Sequence, residues 1–352
     1  MAFSFLKNLA NGGNGSAAWQ RTLKVALVLA GFVLFFYLIL RMGVGTIVAQ
    51  LAHFGWWFLA ICALGALWLF FQTLAWRAMQ RERFAGVSLF FLFNVKFISD
   101  ALNTLLPSAN LGGESARLYF TSRFLSKKEA LAGVMVDKTF EYAGGIPFMI
   151  VGFLIGWAGG FFPRALVMPA LLCLGITLAG ILVFAGFLLQ GMHSVLAKIT
   201  CLVPPLRRLV EAKEKQIHAL EHELRQLFAA PWPRVLAAWA CHFLARVTGV
   251  FEVILVLRVL HVPVGFFQAF FITAMVTGVN TVFFLMPGQW GVAEGSHQFI
   301  VHSMGFPPLA GLSLGIIKRM RKLAFAAIGL LMYLCYRARM EDPAAFMKKS
   351  HD

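Results

Sequence analysis

The chain has 352 residues, of which 60% are hydrophobic and only 13% are charged, and its formal net charge is +16. This composition excludes an ordinary soluble domain and indicates an integral membrane protein. The basic residues stand beside apolar stretches rather than in one basic domain. That placement favours anionic phospholipid headgroups over nucleic acid as partners.

Apolar stretches of membrane-spanning length follow one another along the chain. A hydrocarbon core of about 30 Å takes roughly 20 apolar residues in a helix. The clearest candidates cover residues 24–40, 56–75, 166–189, 235–257, 266–286 and 309–336. Residues 87–106 and 130–157 are also long enough but carry ionisable side chains. Since backbone polar groups in lipid must be satisfied within each helix, the sequence predicts an all-α integral membrane fold, a polytopic bundle of about eight spans plus two broken or re-entrant helices.

The longest stretch without a span separates two halves of similar size. Residues 206–228 within it show apolar residues at helical spacing among charges. This pattern fits either an amphipathic helix on the cytoplasmic membrane surface or a plain solvated connecting helix. The predicted organisation is an N-terminal tail and first span (1–55), a first repeat (56–157), a connecting span with a basic amphipathic linker (158–234), a second repeat (235–336) and a cytoplasmic tail (337–352).

Two polar interruptions inside apolar sequence match each other. Residues 105–118 read LLPSANLGGESARL, and residues 285–299 read LMPGQWGVAEGSHQF. In each, a proline precedes a glutamate by seven residues, and the two motifs are 180 residues apart. The predicted helix-break residues are Pro107, Gly112, Gly113, Pro287, Gly288 and Gly291. Paired broken helices in corresponding halves are typical of transporters whose site lies between two repeats.

Each break has a functional interpretation and a plainer one. The proline removes a backbone donor, the glycines allow a tight bend, and the new helix start offers an anion free N–H groups. The plainer interpretation is a kink that serves packing alone. If both broken segments recross the membrane, the basic clusters share one side and the second repeat is inverted. If they re-enter instead, the halves are parallel. The positive-inside rule favours the inverted arrangement.

Ionisable residues inside apolar segments are the candidate site residues. They are Glu114, Arg117, Asp137, Lys138, Glu141, Glu294, His297, Lys318 and Arg321. The spacing of Glu114 and Arg117 predicts a pair on one helix face. Burying such groups is costly unless they pair or meet water. The sequence therefore predicts a water-accessible cavity where acidic groups of one half meet cationic groups of the other, with a purely structural ion-pair network as the alternative.

Several weaker candidates accompany this set. Asp100, Asn103 and Asn280 precede the breaks and are candidates for lining the same cavity. His242 and Arg246 share a helix face, with Glu252 as a possible partner, although simple contacts between helices are the more common role. Lys322 is expected at an interface or loop. No nucleotide-binding loop, HExxH motif or serine nucleophile pattern is present, so no catalytic residue, metal site or cofactor is predicted.

At these residues the chain resembles a known family. It is similar to the flippase-like transmembrane domain of bacterial lysylphosphatidylglycerol synthetases and their stand-alone relatives. The resemblance runs from about residue 25 to 336 and is densest in two blocks. The first is NTLLPSANLGGESARL continuing through VMVDKTFEYAGG, and the second is MPGQWGVAEGSHQF continuing through LSLGIIKRMRKL. The GGE, VDKTFE and IKRMRK segments look most like the branch associated with hopanoid biosynthesis.

The resemblance implies lipid translocation in the bacterial inner membrane by a multi-pass protein with cytoplasmic termini. The substrate would be a membrane lipid with a polar head, whether a phospholipid, a polyprenyl-linked lipid or a hopanoid. In the aminoacyl-lipid relatives a soluble synthase domain follows the spans, and none follows here, so we expect no enzyme activity. Two other hypotheses stay open: a non-transporting partner of a lipid-biosynthesis enzyme, and an intramembrane headgroup transferase with Glu114 or Asp137 as its base.

Overall fold

The computed structural model describes residues 52–105, 111–190, 214–283 and 292–340, together with positions 45 and 49. Within these ranges eleven helices and no strand are present, which confirms the all-α class. In chain order the helices are α1 (Trp57–Met79), α2 (Leu89–Leu105), α3 (Leu111–Thr121), α4 (Lys127–Ala143), α5 (Gly145–Ala158), α6 (Arg164–Gln190), α7 (Glu214–Phe228), α8 (Trp232–Val259), α9 (Phe266–Val282), α10 (Val292–Ser303) and α11 (Pro308–Met340).

Four stretches of the described chain are long and apolar enough to cross a membrane. They are Trp57–Met79, Lys127–Ala158, Arg164–Val183 and Trp232–Val259. The second combines α4 and α5, which only a turn at Gly144 separates. Helix α9 is apolar but shorter. The predicted span at 24–40 lies outside the described residues, so the count of about eight spans stays a prediction.

The helix boundaries follow the 180-residue offset seen in the sequence. Helices α1, α2 and α3 correspond to α8, α9 and α10, and α4 with α5 corresponds to α11, all within five residues at each boundary. Contacts between the halves correspond as well. Helix α1 packs on its counterpart α8, while α2 packs on α11 and its counterpart α9 packs on α5.

Helix α3 runs back along α2. Gly113 of α3 lies so close to α2 that a Cβ atom there would meet the backbone oxygen of Ser99 and the side chain of Asn103. Farther along, the ring of Phe124 lies 5.4 Å from that of Phe91 near the start of α2. The two helices therefore form an antiparallel hairpin whose open end lies where α2 begins.

Helices α1 and α8 run in opposite directions along their full length. Arg234 at the start of α8 donates a 2.6 Å hydrogen bond to Glu82, just after the end of α1. The end of α8 packs with the residues before α1, since Leu257 and Phe54 share one buried cluster. Corresponding helices of the two sets therefore point opposite ways.

Four basic regions of the chain gather at one end of the bundle, which we call the basic end. Arg83, after α1, contacts the Glu129 carbonyl at the start of α4 and the Glu223 carboxylate on α7. The end of α11 is also there, because Tyr336 accepts a hydrogen bond from Asn94 near the start of α2. On the surface of this end, the hydrogen bond from Arg234 holds the pKa of the Glu82 carboxyl below its usual range.

Helix α7 is the described part of the predicted amphipathic linker. Its apolar side is covered by protein: Leu224 and Leu227 are buried against α1 and α4, and the ring of Phe228 stacks on that of Phe140. Neither predicted role, a membrane-surface helix or a plain solvated connection, describes this packing. The apolar spacing reflects a protein interface, while residues 206–213 lie outside the described part.

Candidate functional site

Asp137 on α4 is the centre of a buried ion cluster that joins three helices. Lys96 Nζ, from α2, lies 2.6 Å from Asp137 Oδ2, and Arg117 Nη2, from α3, lies 2.7 Å from the same oxygen. The side chains of Arg117 and Asp137 are fully buried. The Arg117 guanidinium also lies over the Trp76 ring of α1, 4.1 Å from its centre. One carboxylate therefore holds two cations that come from different helices.

The cluster continues through Glu114. Its Oε2 accepts a 2.9 Å hydrogen bond from Arg117 Nη1, which confirms the predicted pair. Lys138 Nζ lies 3.1 Å from Glu114 Oε1 and 3.0 Å from Glu141 Oε2. We call these six residues the neutral network, because their charges balance: Lys96, Arg117 and Lys138 against Glu114, Asp137 and Glu141.

His242 of α8 touches this network without joining it by a hydrogen bond. Its Nε2 lies 3.6 Å from Asp137 Oδ1, beyond hydrogen-bond range. Arg246, one turn later, donates to the backbone carbonyls of Glu141 and of His242. Neither residue forms an ion pair with Glu252 among the described residues, whereas the contact between helices that the sequence favoured for them is present, because both side chains reach α4.

A cavity of about 210 Å³ lies next to the network, inside the bundle. It is lined from α1, α2, α8, α9, α10 and α11. We call it the cationic cavity, since five of its lining side chains are basic: Arg246, Lys318, Arg319, Arg321 and Lys322. Asp100 and Asn280 line it as predicted, whereas Asn103 instead accepts a hydrogen bond from the Gly113 amide.

Carboxylates hold three of the five cations. Glu252 Oε1 accepts a 2.8 Å hydrogen bond from Arg321, and its Oε2 lies 3.5 Å from Lys318. Glu294 pairs with Arg319. Glu252 and Glu294 belong to the same half as these cations, so the predicted pairing of acids from one half with cations of the other is wrong at these pairs. Contacts between helices of the same half provide the carboxylates that pair with these three cations.

His297 of α10 also lines the cationic cavity and is 3% exposed. Its Nδ1 lies 2.5 Å from the carbonyl of Ala293, one turn earlier, so this nitrogen carries the donated proton. Its Nε2 is then a hydrogen-bond acceptor, and this buried atom has no hydrogen-bond partner among the described residues. His297 and Glu294 therefore do not form a pair like that of Arg117 and Glu114.

Comparison with known proteins decides the family. Residues 22–329 match the family model described as the lysylphosphatidylglycerol synthase TM region. The chain belongs to this family. A search of curated proteins found no match, and a search of solved structures found none either. The match covers both motif blocks, the neutral network and the cavity, and the hopanoid-associated branch stays a prediction.

The two polar motifs of the sequence fall between described helices. Helix α9 ends at Val282 and α10 begins at Val292, as α2 ends at Leu105 and α3 begins at Leu111. Pro107, Pro287, Gly288 and Gly291 lie outside the described residues. Gly112 and Gly113 are helical residues of α3 rather than a bend. Gly113 serves close packing instead, because a side chain there would collide with α2.

The predicted site residues divide between the two sites. Glu114, Arg117, Asp137, Lys138 and Glu141 belong to the neutral network and, among the described lining residues, none contributes to the cationic cavity. His297, Lys318 and Arg321 line the cavity, and Glu294 pairs with a lining residue. The roles assigned to them in substrate handling stay predictions.

Three residues of these sites were missed or undervalued from sequence. Lys96 was not singled out, although a single lysine in the apolar segment LFNVKFIS was a usable signal. Arg319 was not among the candidate residues, yet it lines the cavity. Lys322 was expected at an interface or loop, and it also lines the cavity. Helical spacing alone does not tell which face of a long helix meets a cavity.

Proposed function

We propose that this protein is a bacterial inner-membrane lipid flippase, which moves a polar-headed lipid between leaflets. The cationic cavity is the observation that carries the proposal, because charged side chains line a space inside an apolar helical bundle. The headgroup would pass through this space while the acyl tails stay in the bilayer. Phospholipids, polyprenyl-linked lipids and hopanoid-type lipids all fall within this class.

The cavity would lower the free-energy cost of moving a lipid headgroup across the bilayer. An ionised group at the bilayer centre costs roughly 3 kcal/mol or more. Fixed charges in the cavity would replace the water that the headgroup loses. Ala293, in the first turn of α10, lines the cavity, so the positive end of this helix faces it. At about 210 Å³ the cavity is smaller than the roughly 300–1,000 Å³ of pockets for drug-sized ligands. That size suits a headgroup and not a whole lipid.

The distribution of basic residues supports an orientation. The basic end contains Arg83, Arg234 and the end of α11 after Tyr336. Lys and Arg are enriched in cytoplasmic loops. We therefore assign the basic end to the cytoplasm, together with the C-terminal tail and, as an expectation, the N-terminus.

Filling the cavity is the direct test. Thr277 of α9 lines it, and a Phe side chain at this position would occupy the space without changing any charge. Purified protein with Thr277→Phe would be reconstituted in liposomes with headgroup-labelled lipids, and a membrane-impermeant quencher would report how much label changes leaflet. We expect the native protein to move label and Thr277→Phe to lose most of this movement.

The matched control is Leu178→Phe on α6, at a residue that is 47% exposed on the outer surface of the bundle. It should transport like the native protein. Equal transport by native protein and Thr277→Phe would contradict a path through the cavity. Lipids extracted afterwards should be chemically unchanged by mass spectrometry, as expected of a transporter and not of a headgroup transferase. No movement with any folded preparation would instead favour a non-transporting partner of a biosynthetic enzyme.

A further inference from the structure

The cationic cavity has more positive than negative charge. Its five cations are those named above, and the carboxylates beside them are Asp100, Glu252 and Glu294. The surplus is two positive charges. We propose that the cavity selects a phosphate-type anion, the phosphate of an anionic lipid headgroup, as the counter-charge. This inference rests on the proposed function and names its substrate class.

Among the residues that the structure describes, no further carboxylate lines the cavity or pairs with its cations. The sequence has 15 Asp and Glu residues. Three of them are bound in the neutral network, where their charges are already balanced. The segments 106–110 and 284–291, which adjoin the cavity helices and lie outside the described residues, contain no Asp or Glu. The other described carboxylates, Glu82, Glu129, Glu214, Glu221 and Glu223, lie at the basic end or on α7. No carboxylate in the described part of the chain therefore offsets the surplus, and a bound anion would.

Glu252 alone serves both Lys318 and Arg321, and the two cations outside these carboxylate pairs are Arg246 and Lys322. Neither makes an ion pair with a carboxylate in the described part of the chain. Arg246 is bound only by backbone carbonyls, which neutralise no charge. Lys322 is exposed towards the cavity that it lines together with Asp100. These are the two side chains with which an incoming anion can pair without displacing Glu252 or Glu294.

Phosphate oxygens match this pair of cations. A guanidinium presents parallel N–H donors that bind two oxygens at once, and an ammonium serves as a compact point charge. A phosphate diester or monoester brings one to two negative charges. An uncompensated cation within the bilayer is costly, so binding of such a group removes a penalty that the empty protein carries.

His297 is an independent observation pointing to a ligand. Its buried Nε2 accepts hydrogen bonds and has no partner in the described structure. A buried acceptor without a donor costs free energy. The headgroup that fits both features carries a hydroxyl group near its phosphate, since the hydroxyl would donate to Nε2 while the phosphate meets Arg246 and Lys322.

Binding in detergent tests the inference without requiring transport. Purified protein in a neutral detergent would be titrated with dihexanoyl phosphatidylglycerol, dihexanoyl phosphatidylcholine and glycerol phosphate, with affinity measured by calorimetry. The first probe is an anionic lipid with hydroxyls, the second is zwitterionic, and the third is the free headgroup anion. We expect phosphatidylglycerol to bind about tenfold or more tightly than phosphatidylcholine, a difference that weakens as salt is raised.

Variants assign the binding to the cavity. Lys322→Gln should weaken phosphatidylglycerol binding about tenfold, whereas Lys322→Arg, which keeps the charge, should bind within a few fold of the native protein. Arg258→Gln is the matched control, because Arg258 is an exposed cation at the end of α8 away from the cavity. It should bind normally. His297→Phe should weaken the binding of phosphatidylglycerol more than the binding of a phosphate lipid that has no hydroxyl group.

Three results would overturn the inference. One is equal affinity for the anionic and zwitterionic lipids. Another is an unchanged affinity in folded Lys322→Gln, and the third is equal weakening by Arg258→Gln, which would mean adsorption to surface charge. Tight binding of glycerol phosphate alone would make the ligand a free phosphate ester rather than a lipid, and would overturn the lipid assignment. Selective anion binding without any transport would leave the inference standing and remove the flippase proposal.

Discussion

Asp137 joins Lys96 and Arg117 through a single carboxylate oxygen, and the side chains of Arg117 and Asp137 are completely buried. If these buried charges lose their partners, water cannot solvate them in their place. Removing one member of a buried ion cluster leaves an uncompensated charge, and the cost exceeds what the intact pair contributes. The neutral network is therefore a structural joint between α2, α3 and α4.

Asp137→Asn is expected to destabilise the protein by about 3–5 kcal/mol, because Lys96 and Arg117 would remain buried beside an uncharged amide. The measurement is unfolding of the purified protein in detergent, followed by circular dichroism. Glu214→Gln on the exposed side of α7 is the control and should change stability by less than about 0.5 kcal/mol. A loss of stability no greater than that of the control would show that water reaches the network.

Local spacing explains which residue contacts the sequence predicts. Glu114 and Arg117 pair because residues three apart share a helix face, whatever surrounds them. The contact of Lys96 with Asp137 joins different helices, and no spacing rule reaches across the 41 positions between them. Glu252 likewise pairs with Lys318 and Arg321 of another helix, and the face of its own helix does not reveal those neighbours.

At the scale of helices, the contact between α10 and α11 depends on missing side chains. Gly311 and Gly315 stand four residues apart on α11, the small-xxx-small spacing of closely packed membrane helices. A Cβ atom at Gly315 would come within 2.8 Å of the Glu294 Cα atom, and one at Gly311 would meet the backbone of α10. This close approach places Glu294 beside Arg319, one turn after Gly315.

Gly315→Ala is expected to push α10 away from α11, to cost about 1–3 kcal/mol of stability and to reduce transport. Thermal unfolding in detergent and the liposome assay are the measurements. Gly295→Ala on α10 is the matched control, because a Cβ atom there meets nothing within 4 Å. Alanine at that helical position should be neutral or stabilising. Equal effects of the two substitutions would mean that the α10–α11 approach is looser than described.

The apolar spacing of α7 shows what periodicity predicts and what it leaves open. It correctly indicates a helix with one apolar side. It does not say what covers that side, since lipid and protein satisfy Leu224 and Leu227 equally well. The packing of α7 on α4 depends on the position of the whole helix, which no local pattern contains.

At the scale of the whole molecule, the basic end and the opposed directions of α1 and α8 define an orientation. Helix α11 ends beside the start of α2 at the basic end, so its first residues, and Ser303 before them, lie at the opposite end. Ser122 follows α3 and lies near the start of α2, at the basic end. Corresponding positions in the two halves thus lie on opposite sides.

Cysteine labelling checks this arrangement. In a variant whose five native cysteines are replaced, Ser303→Cys should react with a membrane-impermeant thiol reagent added outside intact cells. Ser122→Cys should react only after the membrane is permeabilised. The two positions are 181 residues apart at matched ends of α3 and α10, so each serves as the control for the other. Labelling of both from the same side would contradict the opposed halves.

The features of the whole molecule that the sequence predicts are those that depend on composition and on residues that are rare in apolar segments. Apolar length predicted the helices, and the two polar motifs fall between the described helices α2 and α3 and between α9 and α10. The location of the cavity was not predictable in the same way. It depends on how six helices pack together. Apolar residues occur throughout this chain, so their pattern does not specify which helices pack against each other.

The turn at Gly144 separates α4 from α5, whereas the corresponding 33 residues of α11 form one uninterrupted helix, with Ala324 at the equivalent position. The two halves therefore differ at this position, although the helices around it correspond. Helix α11 reaches from the cavity to the basic end without interruption. In the transport that we propose, the two halves would therefore not simply exchange shapes, and the inward and outward movements of a headgroup would involve different rearrangements.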